Sequence, residues 1–183
     1  MADDQRLVVG SVGTDHHPFP RFLDWMAAAR HELGVDVFVQ RGATPEHPDV
    51  PGVDYLPAGE LEARMAAADA VVCHGGPGTM SLAQRCGHRP IVIARDPALG
   101  EHVDDHQQRY TAQLQSEGLI DTPHSVAELV ELIRTARRHE STDEHSAEIA
   151  RAAARFGELV DALLAGTLPR RRWRERMLFR RTP

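Results

Sequence analysis

Apolar residues in this chain come in two alternating kinds of run. Short blocks rich in valine and isoleucine, within "RLVVGSVGT", "VDVFVQRG", "AVVCHGG" and "RPIVIARD", read as strands buried on both faces. Between them lie longer stretches whose apolar residues recur at helical spacing. The first, "PFPRFLDWMAAARHEL", carries Phe22, Leu23, Trp25, Met26 and Leu33 at that spacing, with Gly34 as its stop. After the second strand, "ATPEHPDVPG" reads as a Pro-rich surface connection and "VDYLP" as a short third strand, so the opening unit is β-α-β-β. Helices follow at "AGELEARMAAAD", "GTMSLAQRCG", "HVDDHQQRYTAQLQSEG" and "SVAELVELIRTARR", the last opened by Ser125 as N-cap, with "LID" as a brief strand before it.

This alternation predicts the α/β class: a three-layer, Rossmann-like parallel sheet with helices on both faces. Ligands of such sheets gather outside the carboxyl ends of the strands. After the polar "HESTDEHS", "AEIARAAARFGELVDALLAG" reads as a last long helix closed by Gly166 and Pro169, followed by an arginine-rich tail. The expected organisation is an α/β domain at 1–139, a C-terminal helix packing on it at 140–169, and a basic tail at 170–183.

Composition narrows the chemistry. A chain of 183 residues suits one domain with a full core, and 42% hydrophobic with 26% charged residues is ordinary for a globular protein. No apolar run approaches the roughly 20 residues that cross a bilayer, and the acidic start lacks the plan of a secretory signal. The two cysteines, Cys73 and Cys86, suit apolar packing in a reducing compartment, so a cytoplasmic location is expected. All 21 basic residues are arginines, which excludes Schiff-base lysines and Walker loops. The net charge of −6 is uneven: "RRRWRERMLFRR" sets seven arginines against one glutamate and leaves the remainder at −12. An acidic body excludes general nucleic-acid binding, which needs a basic face.

The segment "VVCHGGPGTMSLAQRCG" empties a strand through His-Gly-Gly-Pro-Gly-Thr into a helix. Bare amides at the positive end of a helix dipole form either an anion site, of the kind that holds diphosphates, or a plain tight turn. Pro77 and Thr79 fit the first helical turn. The pattern is neither the dinucleotide fingerprint G-x-G-x-x-G nor a Walker loop. A second loop, "ARDPALGEHVDDHQQRY", follows the next strand on the same sheet edge. There Asp105, His106, Gln107 and Gln108 open a helix whose glutamines suit sugar hydroxyls, unless Asp104 and Asp105 merely complement the helix dipole. His102 and His106, four apart with Asp105 between, would share a helix face. With no third ligand identifiable, no metal is expected, nor any organic cofactor.

Taken in order, "SVGTDHHPF", "HGGPGT" and "GEHVDDHQ" resemble the C-terminal, donor-binding half of family 28 glycosyltransferases, over roughly residues 6–135. The small stand-alone versions are most similar: donor subunits of two-chain N-acetylglucosaminyltransferases and bacterial exopolysaccharide transferases. The resemblance implies a single GT-B C-terminal half that binds a nucleotide-diphosphate sugar, a UDP-sugar, and passes the sugar to a lipid-linked acceptor. A membrane-attached partner subunit would bind that acceptor, which places the protein peripherally at the inner face of the membrane. By the same analogy His74, Gly75, Gly76, Gly78 and Thr79 hold the diphosphate, and Gly13 and Thr14 close over it. Arg95 reaches its charge, while Glu101, Asp105, His106 and Gln107 meet sugar or phosphates. One departure stands out: Leu82 occupies the place where related enzymes often hold the ribose with a glutamate, with Gln84 nearby. For the base that deprotonates the acceptor, His16 and Asp15 are the candidates, unless the partner chain supplies it. The Leu82 departure also permits a non-catalytic nucleotide-sugar-binding scaffold. The tail, with Trp173, Met177, Leu178 and Phe179 among its arginines, suits anionic headgroups or a partner's groove, or is a solvated disordered segment.

Overall fold

A computed structural model describes residues 5–137. The expected C-terminal helix at 140–169 and tail at 170–183 lie outside the described residues. Five parallel strands form one sheet: β1 (Leu7–Ser11), β2 (Asp36–Gln40), β3 (Gly52–Val53), β4 (Ala70–Cys73) and β5 (Ile91–Val92), in the spatial order β3-β2-β1-β4-β5. The order reverses between β1 and β4, paired in register from Val8 with Ala70 to Ser11 with Cys73. Such a switch point leaves a crevice beyond the carboxyl ends of the two strands, because their following connections leave for opposite faces.

Side-chain alternation sorts the core into two layers. Val8 and Val72 point to the face covered by α1 (Pro20–Leu33) and α5 (Val126–Thr135), where Phe22, Leu23, Met26, Leu129, Val130 and Ile133 are buried. Val9 and Val71 point the other way, onto Leu61 and Met65 of α2 (Ala58–Ala67) and Ala83 of α3 (Pro77–Arg85). Farther along that face, Cys73 and Val92 meet Met80 of α3 and Ile120, which follows α4 (His106–Ser116). Three layers with an all-parallel sheet are the expected architecture, and α5 opens as expected with the Ser125 hydroxyl accepting from the Glu128 amide.

Three boundaries differ from the sequence reading. The third strand spans only Gly52–Val53, on β2 at the sheet edge. "LID" contributes a single bridge, Asp121 to Ile91, rather than a strand. The helix expected from His102 starts at His106, because the Asp104 carboxylate accepts from the His106 amide in a local turn that competes with helix.

Candidate functional site

Two loops end at the crevice, one after β1 (residues 12–18) and one after β4 (residues 74–76), and α3 starts from the second. Pro77 is the first helical residue, no side chain caps the helix, and Met80 is the first whose amide finds a helical acceptor, Gly76 O at 3.1 Å. The amides of Gly76, Gly78 and Thr79 have no acceptor among the described residues, as the geometry of a helix start dictates. Nothing lies within 4 Å of where a Cβ on Gly78 would stand, and that residue is exposed. An anion approaching there meets open amides at the positive end of a helix.

The other glycines serve the fold. A Cβ on Gly13 would stand 2.3 Å from His74 Cε1, and one on Gly76 2.3 Å from His74 Nε2. Bare backbone at these two positions makes room for the imidazole, which floors the crevice between both loops. Gly75, at φ +85°, lets α4 close over the turn, its missing Cβ directed at Thr111.

His74 is buried, and its Nδ1 lies 3.3 Å from Ser11 O. A carbonyl only accepts, so Nδ1 carries the proton and Nε2 presents a lone pair. Burial, assisted by the charge of Arg95, pushes the ring's pKa down to about 4. His74 is therefore neutral at pH 7 and brings no positive charge to this corner. The Cys73 thiol beneath is inert: burial pushes its pKa up to about 12.

Arg95 and Glu101 are placed otherwise than expected. Arg95 is fully buried, with its guanidinium over the Phe19 ring, donating to Val12 O, His17 O and Glu101 O at 2.8–3.2 Å. Its donors turn inward and tie the β1 loop to the loop after β5. Glu101, only 4% exposed, gives both carboxylate oxygens to Arg21 at 2.7 and 2.9 Å, and one also accepts from the Asp96 amide. Asp105 and His106 are exposed at the start of α4, and Gln107 Oε1 lies 3.5 Å from the Arg95 amide. Thr14 and Thr79 flank the crevice, the first exposed and the second partly so. At the departure noted above, Leu82 packs on the α2 side of the core, and Gln84 donates to Leu119 O at 3.4 Å.

Of the base candidates, His16 is exposed and stacks on His17, with ring centroids 4.0 Å apart. Asp15 is the centre of a network: Oδ1 accepts from the His17 amide at 2.7 Å and pairs with His17 Nδ1 at 2.6 Å, while Oδ2 lies 3.7 Å from His102 Nε2. Burial opposes its ionisation most strongly, but the His17 hydrogen bonds and the Arg95 charge together hold its carboxyl below the ordinary carboxylate range. His102 and His106 do not share a helix face, since His102 precedes α4. Sequence reasoning missed Arg21, His17, and the pairing of His102 with Asp15. His17 pairs with Asp15 only two positions away, but Arg21 with Glu101 and His102 with Asp15 are 80 and 87 positions apart, and no local spacing signals those.

The family model "Glycosyltransferase family 28 C-terminal domain" matches residues 28–162. The chain belongs to that family. No curated protein matches it in sequence. Among solved structures it is similar to the calicheamicin glycosyltransferase CalG4 (19% identity, TM-score 0.57, 91% of this chain and 45% of that one). It is also similar to the glycosyltransferase of kitacinnamycin (16%, 0.54, 73% and 35%) and to MurG of Acinetobacter baumannii (17%, 0.50, 73% and 42%). Identities this low establish the fold, that of the C-terminal half of a GT-B enzyme. This family 28 domain spans less than half the length of each of those chains. Among its described residues, no helix is long and apolar enough to cross a membrane.

Proposed function

We propose that this chain is the donor-binding and catalytic half of a two-chain glycosyltransferase, moving a sugar from a nucleotide-diphosphate sugar, a UDP-sugar, to a lipid-linked or polysaccharide acceptor. The observation that carries the reading is the start of α3, where the amides of Gly76, Gly78 and Thr79 lack acceptors beside an exposed Gly78 at the switch point. Hydrogen bonds to a charged group contribute about 1.5–3 kcal/mol each, so three amides suffice to hold a diphosphate with useful affinity. As the glycosidic bond breaks, charge builds on that diphosphate, and fixed amide dipoles stabilise it without reorganisation. In this reading Asp15 or His16 acts as base, and Asp105, His106 and Gln107 meet the sugar. The acceptor half, a membrane-attached partner subunit at the cytoplasmic face, lies outside these residues.

Calorimetric titration with UDP, GDP, dTDP and their sugars tests the donor site. The expected result is selective binding of a UDP-sugar, weakened at least about tenfold, or about 1.4 kcal/mol, by Gly78→Trp with thermal unfolding unchanged. Binding of none of these compounds overturns the reading. Leu82 and the engaged Gln84 favour one rival, a binding module without turnover. Sugar transfer by the chain co-expressed with a membrane partner separates the two.

A further inference from the structure

Beside the α3 amides, the two loops bring together a group of side chains that diphosphate binding does not use. Suitable ligand atoms of Asp15, His16 and His17 all lie within 4.8 Å of one another. His102, from the loop after β5, adds a fourth donor: its Nε2 is 3.7 Å from Asp15 Oδ2 and its ring centroid 5.9 Å from that of His17. We propose that Asp15, His16, His17 and His102 form a binding site for a divalent transition-metal ion of the zinc class. The inference stands on these positions alone and goes beyond the donor-site reading.

Three imidazoles and one carboxylate are the donor set of zinc and cobalt, whereas magnesium selects oxygen ligands. Bonds of about 2.0–2.1 Å put the ligand atoms of a tetrahedral ion roughly 3.3 Å apart. The Asp15, His16 and His17 atoms close to that span by a shift of about 1.5 Å or less, and His102, 3.7 Å from Asp15, must swing in from its own loop; His16 is exposed and Asp15, His17 and His102 are partly so. An outer carboxylate is in place: Asp104 Oδ1 lies 3.5 Å from His102 Nδ1 and 2.7 Å from His106 Nδ1. His102 Nδ1 accepts from the Asp104 amide at 3.4 Å, so Nε2 carries the proton facing Asp15; an ion at Nε2 requires the other tautomer, whose Nδ1 proton the Asp104 carboxylate is near enough to accept. The buried Arg95 opposes a cation, and Asp15 and Glu101 offset its charge only in part. An ion here would cross-link the β1 loop to the β5 loop. It would also occupy the lone pairs of His16, and the base for transfer would then come from the acceptor half.

The test is titration of the full chain with Zn2+ by calorimetry and with Co2+ by visible absorption. The expected result is a single equivalent bound, with the intense absorption of a four-coordinate Co2+ ion and no heat from Mg2+. His17→Ala, His102→Ala and the gentler His102→Gln should each weaken binding at least about tenfold, and Asp104→Ala by about tenfold as an outer-shell change. His124→Ala, away from the cluster, should leave it unchanged. Thermal unfolding of each apo variant verifies its fold. Absence of a stoichiometric site, or affinity indifferent to His17 and His102, overturns the proposal. Nucleotide titration in chelator reads the α3 corner separately, so failure of one leaves the other standing.

Discussion

His74 shows how one side chain assigns roles to its neighbours. Its ring occupies the volume that a Cβ on Gly13 or Gly76 would need, so those glycines are spacers for an imidazole, while Gly78 faces open solvent. Gly76→Ala should therefore cost about 1–3 kcal/mol by overpacking, and most of that cost should vanish in a His74→Ala background. Urea unfolding of the double-mutant cycle checks it; additive costs would mean that the ring is not what Gly76 accommodates. The same ring makes the domain acid-sensitive. Folding lowers its pKa from 6.5 to about 4, so between those values the unfolded chain binds a proton that the folded chain refuses. The stabilisation is complete above about pH 6.5 and declines as pH falls to about 4, by about 3 kcal/mol at most. Unfolding free energies at pH 7 and pH 5 should differ in the native chain, and by much less in His74→Asn. The glycine-rich loop was legible in the sequence as a bare strand-to-helix turn. The division of labour within it was not, because that depends on where a single imidazole lies.

At the scale of elements, periodicity located each α-helix among the described residues, and it failed where local polar chemistry or an edge position decides. The onset of α4 moved because Asp104 captures the His106 amide. β3 shrank to Gly52–Val53 because an edge strand pairs on one side only, and at Gly52 the β2 backbone comes so close that a Cβ would stand 2.1 Å from Val39 O. α5 is the opposite case, with both termini of the argument visible in advance. Ser125 Oγ accepts from the Glu128 amide at 3.2 Å, and Glu128 Oε2 accepts from the His124 amide at 2.8 Å, a reciprocal cap. Behind it, Leu129, Val130 and Ile133 cover the face shared with α1. Ser125→Ala should remove about 1 kcal/mol of stability, read as a lowered denaturation midpoint with unchanged slope. An unchanged midpoint would place the stability of α5 in its apolar face alone. Arg95 and Glu101 show the same limit. Sequence puts them in the right loop, but only the fold shows both turned inward, Arg95 to backbone carbonyls and Glu101 to Arg21.

For the molecule as a whole, charge is the property that local structure leaves unspent. The chain carries −6, yet residues 170–181 hold seven arginines and one glutamate among Trp173, Met177, Leu178 and Phe179. An acidic body has no attraction for an anionic surface, so any such attraction must come from this segment. Each arginine near an anionic bilayer contributes about 1 kcal/mol, screened within a Debye length of roughly 8 Å at physiological salt, whereas buried aromatic and aliphatic groups are insensitive to salt. Co-sedimentation with phosphatidylserine vesicles should therefore be strong at low salt, fall steeply as salt rises, and leave a residue of binding due to Trp173 and Phe179. Deleting residues 170–183 should abolish it while leaving UDP-sugar titration unchanged, since the α3 amides belong to the described domain. If the deletion leaves sedimentation intact, the acidic body holds the surface by other means and the tail is not the membrane contact. If vesicles bind neither form, yet the full chain alone associates with membranes from cells carrying the proposed partner subunit, the tail's ligand is that partner.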